Sequence, residues 1–355
     1  MLSLIAIIAS IWIVLPPANM GLLPLRIIAI EISPILVLFN LFSLFISSNK
    51  WLSLLALIIS LIPLIQFPST RERCKQAIEE VIGTKYLTLI SGVIPQEIVV
   101  ETDREFAHLD GVKLTFNVYR PQREGKYPTL IMIYGGAWRS GNPNNNQVFS
   151  RYLAKRGYTV ISIDYRHAPK YTFPVQLNDI QLALSYIHDH PETLGVDLER
   201  VAIMGRSAGG HLATLATLQP GAIAFKALIN YYGPINLTEA YFNPPRPDPI
   251  NTREILKDFL GGTPETRPEL YQQASPISYT DIPFVPTLLV YPSQDHLVQA
   301  KYARELYEKL KARGNQVVFL DIPWSEHAFD EVFRGLSNRL VLYYTEAFLV
   351  SLLKI

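Results

Sequence analysis

Between Met1 and Thr70 the chain carries only three charged side chains, Arg26, Glu31 and Lys50. Helices built from such a stretch have no polar face to offer water, so it does not read as the outer layer of a soluble domain. Three apolar runs occupy it: residues 2–15, 27–46 and 51–67. A membrane-spanning helix needs roughly 20 apolar residues, or about 17 at the short end. The second and third runs meet that length, whereas Pro16 and Pro17 cut the first one short. Residues 1–70 are therefore expected to form a membrane anchor of two or three helices. "SSNK" at 47–50 would make the polar turn of a helical hairpin. Glu31 is expected in the first turn of the second helix, where it complements the dipole and is in reach of Arg26. The start has neither a basic n-region nor a small-residue cleavage site, which argues against a secretory signal. Arg71, Arg73 and Lys75 follow the third run directly, and the positive-inside rule then puts the rest of the chain in the cytoplasm.

The remainder has an ordinary soluble composition. The 355 residues include 32 basic and 31 acidic side chains, a formal net charge of +1 that gives no basic surface for nucleic acid. A single cysteine, Cys74, excludes an internal disulfide framework and a multi-cysteine metal site. The seven histidines include no HExxH pair. His188 and His190 stand two apart, poor spacing for one helical face, and read as a solvated helix end. No metal or cofactor is expected.

Residues 71–96 read as a linker, and from about Gln96 strand-like and helix-like patterns alternate. "EIVVET" (97–102) and "VKLTFNVYR" (112–120) suggest a leading antiparallel pair. "TLIMIY" (129–134), "YTVISIDY" (158–165), "VAIMG" (201–205), "KALINYYG" (226–233), "TLLVYPS" (287–293) and "QVVFLDIP" (316–323) suggest further strands, each followed by a helical pattern or a loop. Such alternation predicts an α/β domain over residues 97–355, with a mostly parallel sheet of about eight strands covered by helices on both faces. The interval 234–282, rich in Pro and Asn with one helical run "TREILKDFL", breaks the rhythm and reads as a cap-like insertion over the edge where chemistry collects.

That edge gathers the reactive residues. Gly205-Arg206-Ser207-Ala208-Gly209 is a G-x-S-x-G element between a strand and a helix. The glycines admit the strained turn that exposes a nucleophilic serine, and the helix start directs N–H groups toward a developing oxyanion. "IYGGAW" (133–138) follows an upstream strand, where paired glycines supply further donors. Gly135, Gly136, Ala137 and Ala208 are the candidate oxyanion-hole residues. Asp295 in "YPSQDHLV" lies just past a strand end, and His327 in "PWSEHAFD" lies in the loop after the last strand. The chain order Ser207, Asp295, His327 suits nucleophile, orienting acid and general base. Among rivals, Asp321 falls inside a strand and Asp330 only three residues from the histidine. His296 adjoins its own acid, and His211 and His167 read as structural. Glu326 reads as a solvated loop residue in preference to a group that supports the site from behind.

"YGGAW", "DYRHAP…FP", "GRSAGGHLA", "YPSQDHLV" and "SEHAF" together resemble the α/β-hydrolase fold, in the esterase/lipase branch related to hormone-sensitive lipase and bacterial feruloyl-esterase-like carboxylesterases. The resemblance covers about residues 97–350. It implies a cofactor-free serine hydrolase that cleaves carboxylic esters through an acyl-enzyme, acting on a small or lipid-like ester. Amide or formamide hydrolysis, prenylcysteine methyl ester cleavage and a non-catalytic membrane-tethered module remain alternatives. Two residues depart from the family pattern: Tyr134 stands where a histidine usually precedes the oxyanion glycines, and Arg206 stands where an aspartate often precedes the serine. The arginine suits either an anionic substrate or a structural ion pair.

Overall fold

A computed structural model describes residues 1–89 and 95–353. Its centre is one eight-stranded sheet in the order β1-β2-β4-β3-β5-β6-β7-β8, with β1 Ile98–Leu109, β2 Val112–Pro121, β3 Tyr127–Ile133, β4 Thr159–Ile163, β5 Val196–Arg206, β6 Ala227–Tyr231, β7 Thr287–Pro292 and β8 Val317–Ile322. β1 and β2 pair antiparallel, β2 meets β4 antiparallel, and all remaining neighbours are parallel. The central strands read as unbroken apolar runs because helices cover both faces: every residue of β4, β6 and β7 is buried. This is the α/β-hydrolase fold.

The insertion is more helical than its sequence suggests. Helices Leu237–Phe242, Thr252–Leu260 and Pro268–Gln273 occupy it, against the single helix expected. The two extra helices are six residues each, too short to show a periodic pattern. The closing helix begins at Leu336, later than the expected start near Asp330, because a short 3₁₀ turn over Phe329–Glu331 precedes it.

The N-terminal part departs further from expectation. Helix α1 spans Leu2–Ile11, α2 Leu23–Glu31, α3 Ser33–Ile46 and α4 Lys50–Ile82. The second apolar run is thus not one straight helix; α2 and α3 meet at a 78° bend. Pro34 lies at the start of α3, where its ring and missing N–H cannot continue the preceding helix. The third run continues beyond its apolar part, so residues 71–82 form the last turns of α4 and not a linker. Cys74 and Ile78 are buried there and belong to the same core cluster as Phe319 and Leu320 of β8, which is why the helix persists. Helix Lys85–Leu89 follows, and the expected linker's residues 90–94 lie outside the described residues. α4 is long and apolar enough to cross a membrane, with a mean hydropathy of 2.0 in its apolar window.

Burial in α1, α3 and α4 is inverted relative to a soluble bundle. Ser10, Asn40, Ser43, Ser53 and Ser60 are buried, while Leu38, Phe42, Phe45 and Ile65 are exposed. Asn40 Nδ2 donates to Ser10 Oγ (2.9 Å) and Ser60 Oγ (3.1 Å), and the Ser43 and Ser53 hydroxyls meet at 2.8 Å. Polar and small residues thus form much of the seam between the helices, beside buried apolar ones such as Leu36 and Ile59, and many large apolar side chains face outward.

Candidate active site

Ser207 sits at the corner between β5 and helix Ala208–Thr217, with φ 52° and ψ −124°. Such a conformation is rare for a residue with a side chain and marks stored strain. Its surroundings explain the flanking glycines. A Cβ on Gly205 would come within 2.1 Å of Gly209 O, and one on Gly209 within 2.1 Å of Ile133 O. The chain crosses itself too closely there for any side chain. The Ser207 N–H is held by Tyr231 O at 2.9 Å, which ties the corner to β6.

His327 Nε2 lies 3.0 Å from Ser207 Oγ, and His327 Nδ1 lies 2.8 Å from Asp295 Oδ2. The loops after β7 and β8 bring the carboxylate and the imidazole to the rim at which β5 ends. Asp295 Oδ1 accepts from Leu297 N (2.8 Å) and Val298 N (2.7 Å), so the carboxylate is fixed from both sides. Burial raises the Asp295 carboxyl above its ordinary range, opposed by His327 and the Val298 N–H. With Nδ1–H donated to Asp295, Nε2 is left to accept the serine proton. Gly135, Gly136, Ala137 and Ala208 line the same cavity, of about 360 Å³, as Ser207 and His327. Ala137 and Trp138 have positive φ, 54° and 59°, so the turn that carries these N–H groups is itself strained.

The remaining cavity wall is mostly apolar, with Asn145, Asn146, Asn236, Gln299 and Glu331 among its polar members. Ile235, Leu237, Ile250, Ile255 and Leu256 contribute from the insertion. Trp138 fastens the insertion to the candidate oxyanion turn by stacking on Phe259 at 4.1 Å. Met20 and Leu23, from the N-terminal segment, complete the wall.

The other singled-out residues have structural partners. Arg206 pairs with Asp330, which also accepts from Tyr232, and its guanidinium lies 4.4 Å from the Phe149 ring centre. The arginine is used in a buried ion pair and a ring contact. Tyr134 donates to Asp164 at 2.5 Å, lies 2.9 Å from His167 Nε2, and stacks on Tyr165. Burial, with Tyr165 and Asp164 nearby, raises its phenol pKa and keeps it protonated. His211 Nε2 donates to Ala274 O (2.6 Å) while Nδ1 accepts from Trp138 Nε1 (3.2 Å). Asp321 sits in β8 and bonds Ser293 and Arg304.

Two expectations are corrected. Glu326 is not solvated; it is fully buried. Its Oε1 accepts from His296 N (2.8 Å) and His327 N (2.9 Å), and its Oε2 from His296 Nδ1 (2.6 Å) and Arg26 Nε (2.8 Å). Arg26 therefore pairs with Glu326, 300 positions away, and not with Glu31. Glu31 ends α2 instead of opening a helix, and its Oε2 accepts from Ser337 N (2.8 Å) at the start of the closing helix. The signal for such a partner was an arginine inside an apolar segment, which requires a buried anion, but nothing local names one 300 residues away.

Comparison with known proteins agrees with this architecture. The BD-FAE family model matches residues 116–310. The chain is 31% identical over 221 residues to "Probable carboxylic ester hydrolase LipM" of Mycobacterium tuberculosis, covering 58% of this chain and 50% of that protein. It is 41% identical over 117 residues to bovine arylacetamide deacetylase, 30% of this chain and 29% of that one. The chain spans about half the length of the first curated relatives it matches. Among solved structures, a bacterial heroin esterase superposes with a TM-score of 0.63 at 26% identity, over 81% of this chain and 92% of that one. With a family match that spans more than half of its 355 residues and the sheet order and strained serine corner described above, the chain belongs to the BD-FAE family of α/β-hydrolases.

Proposed function

We propose that this protein is a membrane-embedded serine hydrolase that cleaves carboxylic esters, with Ser207 as nucleophile, His327 as general base and Asp295 as its orienting acid. The observation that carries the reading is the continuous relay Ser207 Oγ–His327 Nε2 at 3.0 Å and His327 Nδ1–Asp295 Oδ2 at 2.8 Å, opening on an apolar cavity. His327 takes the Ser207 proton as Oγ attacks the acyl carbonyl, and the backbone N–H groups of Gly136, Ala137 and Ala208 receive the developing oxyanion, with Gly135 giving the backbone room. The imidazolium then protonates the leaving alcohol. Water, deprotonated by the same imidazole, releases the acid from the acyl-enzyme.

The inverted burial of α1, α3 and α4 supports the membrane. Large apolar side chains facing outward around a seam of Ser and Asn are the arrangement that lipid favours and water opposes. By the positive-inside rule, Arg71, Arg73 and Lys75 on α4 support a sheet on the cytoplasmic side. The residues 234–282 act as a cap that supplies the acyl-contacting wall.

Amide hydrolysis is the second reading, favoured by the stretch that is 41% identical to a protein named as a deacetylase of arylacetamides. Hydrolysis of p-nitrophenyl esters of graded chain length, set beside p-nitroanilides of the same acids, tests both. Turnover of esters well above anilides is expected, and it disappears in Ser207→Ala. Anilide turnover at or above the ester rate favours the second reading.

A further inference from the structure

Arg26 lies on α2, within the apolar N-terminal segment, yet only 2% of it is exposed. One edge of its guanidinium closes off the exit from α1: Nη1 donates to the carbonyls of Leu15 (2.8 Å), Ile13 (3.2 Å) and Trp12 (3.4 Å). The other edge donates from Nε to Glu326 Oε2. Glu326 in turn holds the N–H of His296, the neighbour of Asp295, and the N–H of His327 itself. One carboxylate thus clamps the loop that carries the candidate acid to the loop that carries the candidate base, and one arginine ties that clamp to the membrane segment.

On the basis of the serine-hydrolase reading above, we infer that Arg26, acting through Glu326, is a positioning residue for the relay, so that the N-terminal segment is a working part of the active site and not only a tether. Leu23, one turn before Arg26 on α2, lines the same cavity as Ser207, so the segment that holds the relay also walls the substrate space.

The charge arrangement gives this role a signature. The ionisable groups facing Glu326 are Arg26 from α2, His296 and Asp295 from the loop after β7, and His327 on its own loop. Burial opposes ionisation of Glu326, but hydrogen bonds from His296, the His296 charge and the backbone N–H groups of His327 and His296 outweigh it and lower its pKa. Removing Arg26 takes away one of the partners that offset the buried Glu326 charge, leaving more negative potential at the imidazole, which favours the imidazolium. Removing the Glu326 charge while Arg26 stays has the opposite effect.

The test uses the full chain in detergent or nanodiscs, with Arg26→Gln, Arg26→Lys and Glu326→Gln measured against wild type. Arg26→Gln is expected to lower kcat about 10- to 100-fold with a smaller change in KM, as for a displaced general base. It moves the acid limb of kcat/KM to higher pH, and Glu326→Gln moves it to lower pH. Arg26→Lys keeps the charge, so its acid limb stays at the wild-type position while kcat recovers in part. A folded Arg26→Gln protein with wild-type kcat and an unmoved acid limb overturns the inference. If Arg26→Gln does not fold, Glu326→Gln decides: an acid limb moved to lower pH supports the inference, and an unmoved limb overturns it. Wild-type protein that neither turns over esters nor reacts with a fluorophosphonate sinks the hydrolase reading itself. Active wild type with unresponsive variants sinks only the role of Arg26.

Discussion

Ser207 Oγ and His327 Nε2 lie 3.0 Å apart although 120 positions separate them in the chain. The sheet order explains the meeting. β5, β6, β7 and β8 run parallel side by side, so the turn after β5 and the loops after β7 and β8 open on the same rim. Replacing either side chain by Ala is expected to lower kcat about 10⁴-fold or more. Turnover of a short-chain p-nitrophenyl ester, with circular dichroism as a control, measures this.

Asp295→Asn keeps the shape of the acid but offers His327 a donor where an acceptor is needed. The imidazole then turns to the tautomer with a proton on Nε2, the wrong one for accepting from Ser207. A loss in kcat of about 10⁴-fold is expected, with KM little changed. Steady-state kinetics at a pH where wild type is fully active check it.

Arg206 and Asp330 form a buried pair beside Ser207, and Tyr232 donates to the same carboxylate. Arg206→Met fills much of the volume but strands the Asp330 charge away from water. A stability loss of about 3–5 kcal/mol is expected. Thermal unfolding of the variant beside wild type shows it as a lowered midpoint, and the double variant Arg206→Met/Asp330→Leu recovers part of the loss.

His211 gives folding a pH dependence of definite sign. Burial pushes its pKa from 6.5 down to about 4, with the Ala274 carbonyl opposing. Nδ1 faces the Trp138 N–H, so a second ring proton has no acceptor. The unfolded chain therefore binds a proton between pH 6.5 and about 4 that the folded chain refuses. Stability from this group is complete above the higher value and is lost as pH falls through the window, by about 3 kcal/mol at about 1.4 kcal/mol per pH unit. Denaturant unfolding across the window measures the slope, which is shallower in His211→Gln.

The sheet and the three residues that meet at its rim were legible because local patterns report them. Continuous apolar runs mark strands buried on both faces, and the strained G-x-S-x-G corner, the Asp295 loop and the His327 loop each follow a strand. What stayed hidden depends on partners distant in sequence. The partner of Arg26 is set by how α2 packs on the loop after β8, and no periodicity in the sequence records that contact. The amphipathic turns of α4 around Cys74 and Ile78 looked like a linker because charge returns there, while the face that packs on β8 holds only a few residues. The bend at Ile32 was visible in Pro34, but an apolar run long enough to span a membrane outweighed it. The two further helices of the insertion, Leu237–Phe242 and Pro268–Gln273, were obscured by their brevity.

The most direct measurement is active-site labelling of the full-length protein with a fluorophosphonate probe, followed by peptide mapping. One adduct is expected, on Ser207, abolished by Ser207→Ala and slowed strongly by His327→Ala. An unlabelled wild-type protein that is folded, or equal labelling of the Ser207→Ala variant, contradicts it.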